Sequence, residues 1–174
     1  IYHSNLKIIY SEIIKYASFA QENMTSSQQR EVADIKRSAK LIVEVLKDTR
    51  DIQKNVNFYL KSKNDYIKQE YNLLRKELAT ILIDINLLDS NETQLEKLTQ
   101  LEVIKSTLIS NDLSNTGKID ALIREDKIKA TMATSLINDS ATVYSIQKKL
   151  VEMASMLFLN NNLLKEIGDT QKWI

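Results

Sequence analysis

The sequence contains no cysteine and no proline, only two glycines, Gly117 and Gly168, and a single histidine, His3. Without cysteine there is no disulfide scaffold, no thiolate metal site and no thiol nucleophile. Scarce glycine and proline argue against an all-β or alternating β/α domain, because the tight turns of those folds draw on both residues. A chain of long helices needs few such turns, so the composition predicts an all-α fold.

A single histidine also argues against two kinds of catalytic site, the di-iron bundle and the histidine-based triad. A di-iron bundle needs paired Glu-x-x-His motifs in its core, and the usual hydrolytic triads need a histidine base. The chain has neither a Walker loop nor a GxGxxG motif to bind phosphates. We therefore predict a protein that is not an enzyme and holds no cofactor or metal.

Long apolar runs are absent as well. A membrane-spanning helix needs about 18 apolar residues or more, and the longest run, 78–88, is interrupted by Asp84 and Asn86. The net charge of +1 offers no strong field to nucleic acid or to an anionic membrane. The chain starts at Ile1 and not at Met, which predicts a segment of a longer precursor, and any signal peptide or lipid-anchor cysteine would lie upstream of it.

What the chain does contain is apolar residues, 43% of 174, at helical spacing. These residues recur three and four positions apart, which indicates helices with one buried face each. We expect one domain over 1–174, an elongated bundle of five to six long helices. The predicted apolar faces begin at Leu6, Val32, Ile67, Leu95, Ile119 and Val143.

Polar stretches mark the expected helix ends. The first apolar face, predicted as Leu6, Ile9, Ile13, Tyr16, Ala20 and Met24, is interrupted at 25–27, where Ser26 and Gln29 can form a capping box. Whether a new helix or only a bend begins there stays open. The second helix is expected to end at 61–64.

Later breaks are predicted in the same way. Asn91 with Gln94 is expected to cap the fourth helix, and residues 111–117 are the clearest loop. Residues 138–140 are expected to break or bend the fifth helix, and Gly168 to cap the last one.

Basic residues form three clusters. The densest contains Arg30, Lys36, Arg37 and Lys40, and the others are Lys148 with Lys149 and the group Arg124, Lys127 and Lys129. Such clusters either keep a helix surface soluble or contact an acidic protein partner. Asp84, between Ile83 and Ile85, is expected either to pair with a lysine of a neighbouring helix or to serve as a buried functional acid.

The segment Tyr16-x-x-Phe19, followed by Arg30, Lys36, Ala39 and Lys40, resembles the first helix of the complement-inhibiting domain in the fibronectin-binding lipoproteins of Borrelia spirochetes. That domain blocks the initiating protease of the classical complement pathway. The resemblance implies that Arg30 contributes to protease inhibition. A second basic residue of that family falls either at Lys148 or, in another register, at Lys97.

The segment Leu88-Asp89 followed by Leu95-Glu96-Lys97-Leu98 resembles a second family of Borrelia outer-surface lipoproteins, the paralogous factor-H-binding complement regulators. Its usual tyrosine-serine-serine is replaced here by Ile85-Asn86-Leu87.

Both resemblances imply a lipid-anchored domain on the bacterial outer surface that evades complement by binding a host serum protein, either the protease or factor H. The expected contact residues are Arg30, Lys36, Arg37, Lys40 and Lys148. The alternative is a structural or self-associating helical bundle without a host ligand.

Overall fold

The computed structural model describes residues 5–90 and 93–159. Within these ranges the chain forms five α-helices and no strand, which confirms the all-α prediction. A single 3-10 turn, Gln21–Asn23, separates the first two helices. The helices are α1 (Lys7–Ala20), α2 (Ser26–Tyr59), α3 (Asp65–Ser90), α4 (Gln94–Arg124) and α5 (Ala130–Phe158).

Two of these helices begin with a capping box. The box of α2 lies one position before the predicted one, and the box of α4 lies two positions after it. Thr25 starts α2: its hydroxyl accepts from the Gln28 amide N–H, and the Gln28 side chain accepts from the Thr25 amide N–H in return. Thr93 and Glu96 form the equivalent box for α4. Ser26 and Gln94 therefore lie inside their helices, and Asn91 lies outside the described residues. Threonine and serine are both good caps, so composition alone does not choose between neighbours.

The four long helices alternate in direction, and α5 is the central one. It packs against α2, α3 and α4. Its direction relative to α2 is fixed by two pairs: Tyr59 at the end of α2 contacts Ser135 near the start of α5, and Lys149 contacts Asp48. Because α2 has 34 residues, it is about 50 Å long, so the bundle is elongated as expected.

The core runs along α3, where the predicted apolar face is confirmed. Tyr71 and Leu88 are fully buried, and Ile81 and Ile85 are 2% and 8% exposed. Facing them are buried side chains of the other helices, which include Ile52, Leu101, Ile104, Leu136, Val143 and Ile146.

The loop predicted over 111–117 is wrong, because α4 runs through it without a break. Leu108 and Ile119 are both buried and lie eleven residues apart, three full turns, so they occupy the same face. Asn115 lies between them on that face and donates to Glu77 Oε1 at 2.9 Å. The Asn115 side chain thus makes a polar contact between α4 and α3 and does not mark a loop.

Residues 138–140 were expected to break or bend a helix, and a break there is wrong, since α5 is continuous. Asp139 is 6% exposed and accepts a hydrogen bond of 2.7 Å from the hydroxyl of Tyr71. A polar residue within an apolar face here marks a buried hydrogen bond between helices and not a helix end.

Helix α1 folds back on α2, and its predicted apolar face is confirmed only in part, since Leu6, Ile13, Ala20 and Met24 are half-buried. Ala17 is buried, whereas Ile9 and Tyr16, both expected in the core, are 54% and 78% exposed. The predicted C-terminal cap at Gly168 lies outside the described residues.

Candidate functional site

Two of the predicted contact residues meet in a groove formed by α2, α4 and α5. Arg37 and Lys148 belong to helices far apart in the chain, yet both line this groove, which has a volume of about 370 Å³. We call it the basic groove. Its lining is Asp34, Arg37, Lys105, Leu108, Lys148, Val151, Glu152, Ser155 and Met156.

The opposite directions of α2 and α5 bring Arg37 and Lys148 together. Arg37 forms an ion pair with Glu152, one helical turn beyond Lys148. Lys148 Nζ lies over the ring of Tyr144, 5.7 Å from its centre. The floor of the groove contains Leu108 and other apolar side chains.

The charges of the basic groove leave a small positive excess. Its cations are Arg37, Lys105 and Lys148, and its acids are Asp34 and Glu152, which gives a net charge of 3 − 2 = +1. Lys105, on α4, pairs with Glu102 at 2.7 Å. Lys105 was not among the predicted contact residues, because nothing in its local pattern distinguishes it from other surface lysines.

The other predicted contact residues lie outside this groove. Lys36 is half-buried, and its Nζ donates to Ser18 Oγ at 3.3 Å and to Gln21 Oε1 at 3.1 Å. It therefore fastens α1 to α2. Lys40 pairs with Glu44 at 3.7 Å on the surface of α2. Arg30 is exposed near the start of α2 and makes no ion pair within the described ranges.

The remaining basic residues are spread over the bundle. Lys149 pairs with Asp48 at 2.6 Å across α2 and α5. Lys127 Nζ lies 5.3 Å from the ring centre of Tyr66, at the end of the bundle where α4 joins α5. Lys97, the alternative to Lys148 in the resemblance, lies at the other end with its Nζ 5.9 Å from the Phe158 ring centre.

A second groove, of about 350 Å³, is formed by α3 and α4 with Gln147 of α5. Glu77 lines it, and burial raises the pKa of its carboxyl above the usual value. The hydrogen bond from Asn115 opposes this shift in the Glu77 pKa, whereas the negative charge of Glu70 adds to it. Glu70 itself is 6% exposed and pairs with Lys118 at 2.6 Å.

Asp84, singled out in the sequence, lines the second groove and is half-buried. It makes no ion pair with a lysine within the described residues, so the expected pairing is wrong. The Asp84 backbone carbonyl accepts a hydrogen bond of 3.3 Å from the side-chain amide of Gln100 on α4.

Neither groove gathers the side chains of a metal site. In the part of the chain that the structure describes, no three His, Cys, Asp or Glu side chains are grouped to hold a metal ion. No helix within the same part is long and apolar enough to span a membrane.

Comparison with known proteins finds no match for this chain among protein families, curated proteins or solved structures.

Proposed function

We propose that this domain is a non-catalytic binding module, exposed on a bacterial surface through an upstream lipid anchor, which evades complement by binding a host serum protein. One observation carries the proposal: Arg37 and Lys148, expected from the sequence as contact residues, line one groove. The two residues come from helices far apart in the chain, so their shared position depends on the assembled bundle.

The chemistry of the basic groove suits an acidic segment of a protein. Arginine presents five donors in a rigid fork that fits a carboxylate, and Lys148 adds a second positive charge nearby. The apolar floor, with Leu108, Val151 and Met156, supplies area whose removal from water favours association. A charged rim around an apolar centre is the usual organisation of a protein interface.

The resemblances supply the candidate partners, namely the initiating protease of the classical complement pathway or factor H. Binding would block the functional site of the partner sterically and electrostatically, without a catalytic step. Arg30, implied by the first resemblance, lies on the same helix as Arg37 and is exposed.

The test is surface plasmon resonance of the immobilised domain against each purified partner. The double variant Arg37→Ala with Lys148→Ala should weaken binding at least about tenfold, since central arginine anchors commonly contribute that much or more. The Arg37 side chain is 66% exposed and that of its partner Glu152 is 41% exposed, so losing this surface ion pair should change folding stability by less than about 1 kcal/mol. Thermal melting verifies this.

Matched controls are Arg124→Ala and Lys129→Ala, exposed cations at the far end of the bundle, which should bind as the unchanged domain does. If only Arg30→Ala weakens binding, the contact lies at the start of α2 and not in the basic groove. If the unchanged domain binds neither partner, the complement proposal is wrong.

A further inference from the structure

Helix α1 carries apolar side chains on two opposite faces. One face packs on α2 and buries Ala17. The other face leaves Ile8, Ile9, Tyr16 and Phe19 exposed by 59%, 54%, 78% and 73%. A helix with large apolar side chains on both sides is normally covered on both sides, and this outward face has no cover within the described ranges.

Part of the outward face is symmetric about a point between residues 13 and 14, although Ile9 and Tyr16 do not share that symmetry. Ile8 and Phe19 lie at equal distances on either side of that point, and so do Glu12 and Lys15. Steps of three and four residues keep these side chains on one side of the helix.

This symmetry indicates that the outward face can pack against a second copy of the same helix. When two copies of one helix pack antiparallel about a twofold axis, residue i of one faces residue j of the other and j faces i. An axis at residues 13–14 sets Ile8 opposite the second copy's Phe19. It also sets Glu12 opposite the second copy's Lys15, so two opposite-charge pairs form.

The two charges are available for such pairs. Glu12 and Lys15 are both exposed, and neither makes an ion pair within the described residues. A glutamate and a lysine placed symmetrically between apolar ends suit a second copy of the same helix.

We propose that two copies of this chain associate through the outward faces of α1, packed antiparallel about a twofold axis near residues 13–14. The helix has 14 residues and is about 21 Å long. An interface of this length is smaller than the standard size for stable complexes, so the association is weak and depends on concentration. The proposal is independent of the host-protein binding proposed above.

Sedimentation velocity of the full chain over a wide concentration range measures the association. Glu12→Lys sets lysine opposite lysine, and Lys15→Glu sets glutamate opposite glutamate. Each single reversal should weaken self-association about tenfold or more, because like charges facing each other across an interface are strongly unfavourable. Glu31→Lys, an exposed reversal on α2, is the control and should associate as the unchanged chain does.

The decisive experiment mixes the two single variants. The Glu12→Lys chain has lysine at both positions and the Lys15→Glu chain has glutamate at both, so in a mixed pair each lysine faces a glutamate. Association should therefore return in the mixture, as it should in the double variant Glu12→Lys with Lys15→Glu. Failure of the mixture to associate overturns the antiparallel arrangement. An unchanged chain that stays monomeric at every concentration overturns the proposal altogether and leaves the face to another part of the chain or to a different protein.

Discussion

Tyr71 joins three helices through one side chain. Its ring stacks on Tyr59 of α2 with centres 4.6 Å apart, and its hydroxyl donates to Asp139 of α5 at 2.7 Å. Burial, followed by the hydrogen bond to Asp139 and its charge, raises the pKa of Tyr71 well above its usual range. The folded protein therefore holds this proton at a pH where the unfolded chain releases it.

The raised pKa makes stability depend on pH in the alkaline range. Tyr71 contributes fully below the unfolded pKa of about 10, and its contribution falls as pH rises further, by up to about 1.4 kcal/mol per pH unit. Tyr71→Phe should remove this slope. It should also cost about 1–3 kcal/mol at neutral pH, because Asp139 loses its buried partner.

Urea denaturation followed by circular dichroism, at a series of pH values, gives both quantities. Tyr66→Phe, on the same helix but 44% exposed, serves as the control and should keep the alkaline slope. Parallel profiles for the unchanged protein and Tyr71→Phe would contradict the assignment.

Among the helices, α4 offers the clearest test of local structure. Gly117 lies within it, and a methyl group added there meets no atom within 4 Å. Alanine favours an exposed helical position over glycine by about 1 kcal/mol, so Gly117→Ala should raise the free energy of unfolding by about that amount. Chemical denaturation measures it. An unchanged or lower stability would support the loop that the sequence predicted at 111–117.

Prediction from the sequence succeeded for some elements and failed for others. The apolar face of α3 was predicted well because its apolar residues from Ile67 to Leu88 recur every three or four positions. Residues 111–117 and 138–140 were misread because their polar side chains, such as Asn115 and Asp139, hydrogen-bond across the bundle. A single sequence does not distinguish a polar residue in a loop from one with a partner on another helix.

The candidate site was predictable only in part, for a similar reason. Arg37 and Lys148 stood out as members of basic clusters, but their proximity arises from the packing of α2 against α5. The same clustering also included Lys36, whose partners Ser18 and Gln21 precede α2 in the chain. Charge density along a chain shows where cations are numerous, whereas tertiary packing decides which of them share a surface.

At the scale of the whole molecule, Asn64 links the turn before α3 to the turn between α4 and α5, at one end of the bundle. Its Oδ1 accepts from the amide N–H groups of Tyr66 and Ile67 at 3.0 and 3.2 Å, which caps α3. Its side-chain amide donates to the carbonyl of Lys127, in the turn between α4 and α5, at 2.8 Å. One side chain thus both caps α3 and binds the turn that joins α4 to α5.

Two substitutions separate these roles. Asn64→Asp keeps the capping oxygen but sets a carboxylate oxygen against the Lys127 carbonyl in place of the donor, so it should cost at least about 1 kcal/mol. Asn64→Ala loses both and should cost about 2 kcal/mol. Thermal and urea unfolding compare them, with the exposed Asn57→Ala as control. Equal stability of Asn64→Asp and the unchanged protein would show that the link between the turns contributes nothing.

The central place of α5 has a consequence during synthesis. The ribosome makes α2, α3 and α4 first, yet each of them buries its apolar face against α5, the last of the four helices. Until α5 emerges from the ribosome, core residues of the earlier helices lack their α5 packing partners and are only partly buried. They include Ile52, Leu88 and Leu101. Folding as a unit therefore begins after translation of α5, and the nascent helices before that point expose the surface that chaperones bind.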